Sequence, residues 1–192
     1  PAALAACTVI EITERKQREL QERRLSQIAE SSADLIGYAA PDGRALYINP
    51  AGRALVGLEN LEDVQRHTLE DFFAPEDLPQ LRKVILPAVE AYGRWVGEFR
   101  FRHFRTGRPV PVHYNLFRVN DPATGALAGY ATVSIDLTRR KRAEDDYRFL
   151  ADSVPQLLST LNSRGDVTFV NRSARDFTGR SQEELALSWM EL

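Results

Sequence analysis

The side chains best able to do chemistry are few in this sequence. There is one cysteine, Cys7, and three histidines, His67, His103 and His113. A zinc or iron–sulfur site needs several such ligands together, and a single thiol excludes an internal disulfide framework. His103 shares parity with the aromatic positions of its alternating segment. His113 alternates with Val112 and Tyr114, so opposite strand faces would separate the two imidazoles. The adjacent carboxylates Glu76 and Asp77 follow Pro75 at a helix start, where negative charge complements the helix dipole. Ser31-Ser32 and Ser153 have no His and Asp partners at a recognisable spacing. No phosphate-binding glycine loop and no kinase or cyclase signature is present. The basic run Arg139-Arg140-Lys141-Arg142 is followed by Glu144-Asp145-Asp146, the mixed pattern of a solvated helix face. The expectation is a chain without catalytic residues or a metal site.

The elements that position these residues follow from composition and periodicity. The 192 residues carry 25 Lys and Arg against 27 Asp and Glu, and 43% are hydrophobic. That is enough apolar material for a packed core, and the near-neutral balance gives no reason to expect nucleic acid as a partner. No apolar run approaches the ~18 residues that span a bilayer, so a cytoplasmic chain is expected, with any anchor elsewhere in a longer parent. The opening Pro1-Ala-Ala-Leu-Ala-Ala-Cys7 lacks Met and a basic leader and reads as a cut edge.

An internal repeat organises the rest. At an offset of 122, Ala29, Ser31, Leu35, Gly43, Asn49, Arg53 and Gly57 recur as Ala151, Ser153, Leu157, Gly165, Asn171, Arg175 and Gly179. At an offset of 125, Ile10-Glu-Ile-Thr-Glu-Arg-Lys16 echoes Ile135-Asp-Leu-Thr-Arg-Arg-Lys141. The complete unit starts with a charged helix, then two short strands, Leu35–Ala40 and Arg44–Ile48, around Pro41-Asp42-Gly43. Asn49-Pro50 reads as N-cap and first helical residue, and Gly57 ends that helix. Residues 60–93 read as broken helix, with Pro87 placed to kink it. Three alternating strands follow around Trp95–Phe101, Val110–Leu116 and Ala131–Ile135, and a new helix starts near Thr138. The class is α+β, an antiparallel sheet covered on one face.

Tyr47-Ile-Asn49-Pro-Ala, Leu55-Val-Gly57, Phe72-Phe-Ala-Pro75-Glu-Asp77, Trp95-Val-Gly-Glu98-Phe-Arg, Thr106-Gly107 and Asp136-Leu-Thr138-Arg-Arg-Lys141 together resemble the PAS family of sensor domains. The resemblance implies a five-stranded antiparallel sheet with helices over one face and a space between that can hold a ligand. It divides the chain into the end strand of a preceding PAS domain (1–12), a linker helix (13–32), a complete PAS domain (33–137), a second linker helix (138–154) and the start of another PAS domain (155–192). It also implies a bacterial multi-PAS parent, such as a sensor histidine kinase or a cyclic-dinucleotide enzyme. Cys-adduct flavin chemistry is not expected, because Cys7 lies outside the complete domain. Haem held by a helix histidine is not expected either, because 78–92 contains none. The cofactor, if any, stays unassigned.

Two readings of the interior stay open. Tyr47, Trp95, Phe99, Phe101, Tyr114 and Leu116, with Leu81 and Ile85, would face inward as a ligand pocket or as filled core. Ligand detection and ligand-free scaffolding are accordingly both open. Arg100, Arg102 and Arg118 are placed mostly with solvent. On the linkers, Ala143, Tyr147, Leu150 and Val154 are spaced 4, 3, 4, and Leu25 and Ile28 occupy aligned positions upstream, a seam for a homodimer. Asp136, Leu137 and Thr138, with Glu11 and Thr13 as their upstream counterparts, form the expected strand-to-helix signal junction, Thr138 serving as N-cap.

Overall fold

The computed structural model describes residues 2–181 and 183–185, without the side chains of 2–15 and 18. Residues 1–137 form one compact unit and 138–192 another.

The first unit opens with helix α1 (Ala2–Ser31). This corrects the expected end strand at 1–12 and the helix start at Thr13: Glu11 and Thr13 lie within α1, and their side chains fall outside the described residues. A helix bonds its own backbone N–H and C=O groups, whereas a strand here would need a partner to pair with. Strands β1 (Leu35–Ala39) and β2 (Ala45–Ile48) follow as an antiparallel pair. The Asn49 side chain accepts from Gly52 N–H to start α2 (Pro50–Val56), which ends at Gly57 with φ +79°. Only glycine fits there, because a Cβ would collide with the His103 ring and the backbone is left-handed.

The stretch expected as broken helix is more irregular than that. It comprises α3 (Leu61–Gln65), 3₁₀ turns at Leu69–Phe72 and Pro75–Asp77, α4 (Leu78–Gln80), a π-helical turn (Leu81–Ile85) and α5 (Leu86–Tyr92). Pro87 produces a π turn rather than a sharp kink. It has no N–H to donate, and the preceding Leu86 N–H reaches back to Leu81 C=O.

β3 (Arg94–Arg102), β4 (Pro109–Asn120) and β5 (Leu127–Asp136) complete a five-stranded antiparallel sheet in the order β2-β1-β5-β4-β3. One face buries Phe99 and Phe101 of β3 with Val110, Val112, Tyr114 and Leu116 of β4 against Leu81, Ile85 and Val89. Period-two alternation on β3 and β4 makes this the core. Arg100 is not simply solvated. Its guanidinium donates to both carboxylate oxygens of buried Asp77 at 2.7 and 2.8 Å, clamping the helical segment onto β3. Asp77 therefore does more than complement a helix start. Arg102 lies over the Phe104 ring at 5.2 Å, and Arg118 donates to Glu90 C=O.

The second unit contains α6 (Thr138–Ser153), the hairpin β6 (Ser159–Leu161) and β7 (Val167–Val170), and α7 (Arg172–Thr178).

Tyr47 is half-buried, paired with Tyr38, and donates its hydroxyl to Glu30 Oε1 of α1 at 2.7 Å. Burial first, and the Glu30 carboxylate second, push its ionisation up to about 12. A proton held more tightly when folded adds stability that is complete below the ordinary tyrosine value of ~10 and is lost as pH rises through about 12. The tyrosinate absorbance of the wild type minus that of Tyr47→Phe is expected to titrate near 12. A midpoint near ~10 would show that neither the burial nor the Glu30 contact holds.

Candidate functional site

Asn49 is fully buried, and it is a hub as well as a helix cap. Its Oδ1 accepts from Ile36 N–H and Gly52 N–H, both at 3.0 Å. Its Nδ2 donates to Ala29 C=O (3.0 Å), Asp34 C=O (2.9 Å) and, at the limit, Ser32 C=O (3.4 Å). One amide thereby ties the last turn of α1, the chain entering β1, and the first turn of α2. Asn171 repeats the arrangement at every position of the 122-residue offset. Its Oδ1 accepts from Leu158 and Ala174 N–H, and its Nδ2 donates to Ala151, Val154 and Gln156 C=O, all within 2.9–3.1 Å. Arg53 and Arg175 buttress the two hubs by donating to Ile48 C=O and Val170 C=O. Ala29/Ala151 and Asn49/Asn171 were visible as repeat identities, yet the link between them is a contact 20 residues long in sequence that periodicity does not reveal.

At the other end, β5 runs directly into the Asp136-Leu137-Thr138 junction. Leu137 is buried, and its N–H donates to Pro111 C=O at 2.9 Å, so β4 holds the last residue before α6. Asp136 is exposed, and Thr138 is the first residue of α6.

The interior holds a small cavity of about 50 Å³ between the sheet and the helical layer. Of the eight residues expected to line a pocket, Tyr47, Phe101, Tyr114 and Leu116 border it. Leu81, Ile85 and Phe99 are filled core, and Trp95 is half-buried against Phe99 and Tyr114. Phe72 and Phe73 border the cavity too, unforeseen because their segment has no period to read. Small residues make the space: Gly37, Ala39 and Ala45 stand where larger side chains would fill it. Tyr114 is 2% exposed, and desolvation alone pushes its hydroxyl ionisation up.

The histidines do not converge. His67 packs on Phe104 and Phe72, His103 lies under Gly57, and His113 pairs across the sheet with Glu98 and Ile135. No cluster able to hold a metal occurs among the described residues. No helix among them is long and apolar enough to cross a membrane. Leu25, Ile28, Ala143, Tyr147 and Leu150 of the expected seam are exposed. Val154, the last residue of the expected seam, lies just beyond the end of α6, and its C=O accepts from Asn171 and Ser173. Tyr147 also packs on Phe169, with ring centres 5.9 Å apart.

Asn49→Ala strands several buried backbone groups, each costing about 1–3 kcal/mol. The first unit is expected to lose more than ~2 kcal/mol in a urea melt. An unchanged midpoint would mean that the helix end, β1 and α2 hold together without the amide.

A family model described as a PAS fold matches residues 29–142, and one described as a PAS domain matches 145–192. No curated protein matches the chain. Among solved structures, a PAS domain of a protein from Colwellia psychrerythraea superposes with a TM-score of 0.56 at 19% identity, covering 62% of this chain and 98% of that one. An RNA-binding light-oxygen-voltage receptor gives 0.56 at 23% identity, over 69% of this chain and 38% of its own. A PAS domain from a two-component sensor histidine kinase gives 0.51 at 13% identity, over 62% and 98%. With one family model matching more than half of the chain and the five-stranded sheet shared with these folds, the chain belongs to the PAS domain family.

Proposed function

We propose that the chain is a non-enzymatic sensor and relay module. A small-molecule or conformational cue acts on the sheet of the first unit, and helices carry the change to an output domain elsewhere in a longer cytoplasmic signalling protein. A histidine kinase or a cyclic-dinucleotide enzyme fits that parent.

The observation that carries this reading is the pair of amide hubs. Each ties a helix end to the strand and helix that follow it, through the same five hydrogen bonds. A helix so attached is fixed to the domain rather than loosely tethered. At the exit, β5 reaches α6 through Leu137, whose N–H is held by Pro111 C=O, so a shift of the sheet is passed to the first turn of α6. Leu25, Ile28, Tyr147 and Leu150, exposed on otherwise charged helices, support a homodimer in which paired helices convey the change.

The test is a paired one on Asp136→Ala. The exposed carboxylate contributes at most ~1 kcal/mol, so the denaturant midpoint is expected to move little. The output of the intact protein is expected to lock or to lose its dependence on the cue, while sedimentation still reports a concentration-dependent dimer. Output that falls only in proportion to folded protein, or that does not change, would remove the junction from the relay.

A further inference from the structure

The two edges of the five-stranded sheet are treated differently. Beside β2, Arg44 bridges to Thr68, Ala45 N–H donates to His67 C=O at 3.0 Å, and the Gln65 side chain donates to Leu46 C=O, so residues 65–68 close that edge. β3 stands at the other end of the sheet with no strand beyond it. Its unbroken register with β4 sets which backbone groups face outward. In that register Arg118 N–H donates to Gly93 C=O and His103 N–H to Arg108 C=O, both at 2.9 Å. Odd-numbered residues of β3 therefore turn N–H and C=O toward β4, and Arg94, Val96, Glu98 and Arg100 turn theirs away from it. Arg100 guards its own stretch. It alternates with buried Phe99 and Phe101, yet its guanidinium reaches Asp77 in the helical layer, so the side chain passes around the edge. The stretch 94–98 has no such guard, no proline and no bulge, and Arg94, Val96 and Glu98 are exposed. An edge of this kind is a template for another strand.

We propose that residues 94–98 of β3 pair antiparallel with the same residues of a second copy of this chain, about a two-fold axis through Val96. The occupant follows from charge. With the axis at Val96, the two Val96 side chains meet, and Arg94 of each copy stands opposite Glu98 of the other. Moving the axis by one residue sets Arg94 against Val96, or Val96 against Glu98. Moving it by two sets Arg94 against Arg94, or Glu98 against Glu98. One register alone is self-complementary, and it is the one in which the outward backbone groups of 94, 96 and 98 bond each other. Sterics agree. The Trp95 indole lies along its own strand over Gly97, where a Cβ would come within 2.6 Å of it. Across the axis each Trp95 faces the other copy's Gly97, so neither ring meets a side chain. Arg100 ends the ladder after Glu98. Five residues a side make a small contact, so the association is weak and concentration-dependent. It is separate from the helix-borne homodimer and does not depend on it.

The experiment is sedimentation of the 192-residue chain over a concentration series, as wild type, Arg94→Glu, Glu98→Arg, and the two variants mixed one to one. Each variant alone sets like charges against each other at both pairs of the two-fold, and its self-association through this edge is expected to weaken at least ~10-fold. In the mixture, Glu at 94 meets Arg at 98 and Arg at 94 meets Glu at 98, so association is expected to return to the wild-type level. Both positions are exposed, and denaturant midpoints are expected to stay at the wild-type value. Leu25→Glu combined with Leu150→Glu removes the helix seam and is expected to leave this association step in place. Single variants that associate like the wild type, a mixture that does not recover, or a step lost only in the seam variant would each overturn the proposal, the last while leaving the helix dimer standing. Loss and recovery at 94 and 98 with an unchanged seam variant would uphold the edge and count against the helix dimer.

Discussion

A single buried amide organises each unit of this chain. Asn49 and Asn171 each collect two N–H donors and three C=O acceptors that no other group in the interior serves in this way. A fully buried asparagine without partners would be strongly destabilising, so the polar group is viable only if every segment arrives in register. The helix must end just after Ala29 or Ala151, the strand must begin six to eight residues beyond that alanine, and the strand after the turn must deliver the asparagine to a helix start. Register of β1 on β2, and with it the inward set Leu35, Gly37, Ala39, Ala45 and Ile48, follows from that constraint.

The two copies share the hub and differ around it. In the first, Tyr47 donates to Glu30 of α1, while the equivalent pair is Phe169 and Asp152. Phe169 has no hydroxyl, and Asp152 turns to Arg172 N–H and Arg175 instead, while the Tyr147 ring covers Phe169. The backbone-directed bonds are thus kept and the side-chain embroidery is exchanged.

The sequence is most legible where periodicity is clean. Alternation in 95–101 and 110–116 placed two strands and their inward faces, alternation in 131–135 placed a strand but not its face, since Val133 and Ile135 are exposed and Ser134 is buried, and the offset of 122 exposed the repeat. Asn49-Pro50 and Gly57 marked both ends of α2 because capping chemistry is local. Residues 60–92 were less legible: six short helical pieces, three α, two 3₁₀ and one π, have no common period. Phe72 and Phe73 were therefore missed as cavity neighbours. Asp77 was read as a dipole complement because its partner, Arg100, lies 23 residues away. The strand expected at 1–12 came from its echo of 135–141, yet the echo carries only two positions of a strand, and Ala2–Ser31 is helical throughout. Tyr47 borders the cavity, and its hydroxyl also reaches Glu30 of α1, a contact that alternation does not reveal.

The central claim is that the Asn49 amide makes the end of α1, the start of β1 and the start of α2 one mechanical body. Native-state hydrogen exchange across a denaturant series tests it most directly, because it reads the opening free energy of each amide in the unmodified protein. The account predicts that Ile36 and Gly52 N–H, together with the amides of the last turn of α1, exchange through one opening with the same free energy and the same denaturant dependence. If the helix amides open at low free energy while Ile36 and Gly52 stay protected to the global limit, the hub does not couple the helix to the domain, and the account is wrong.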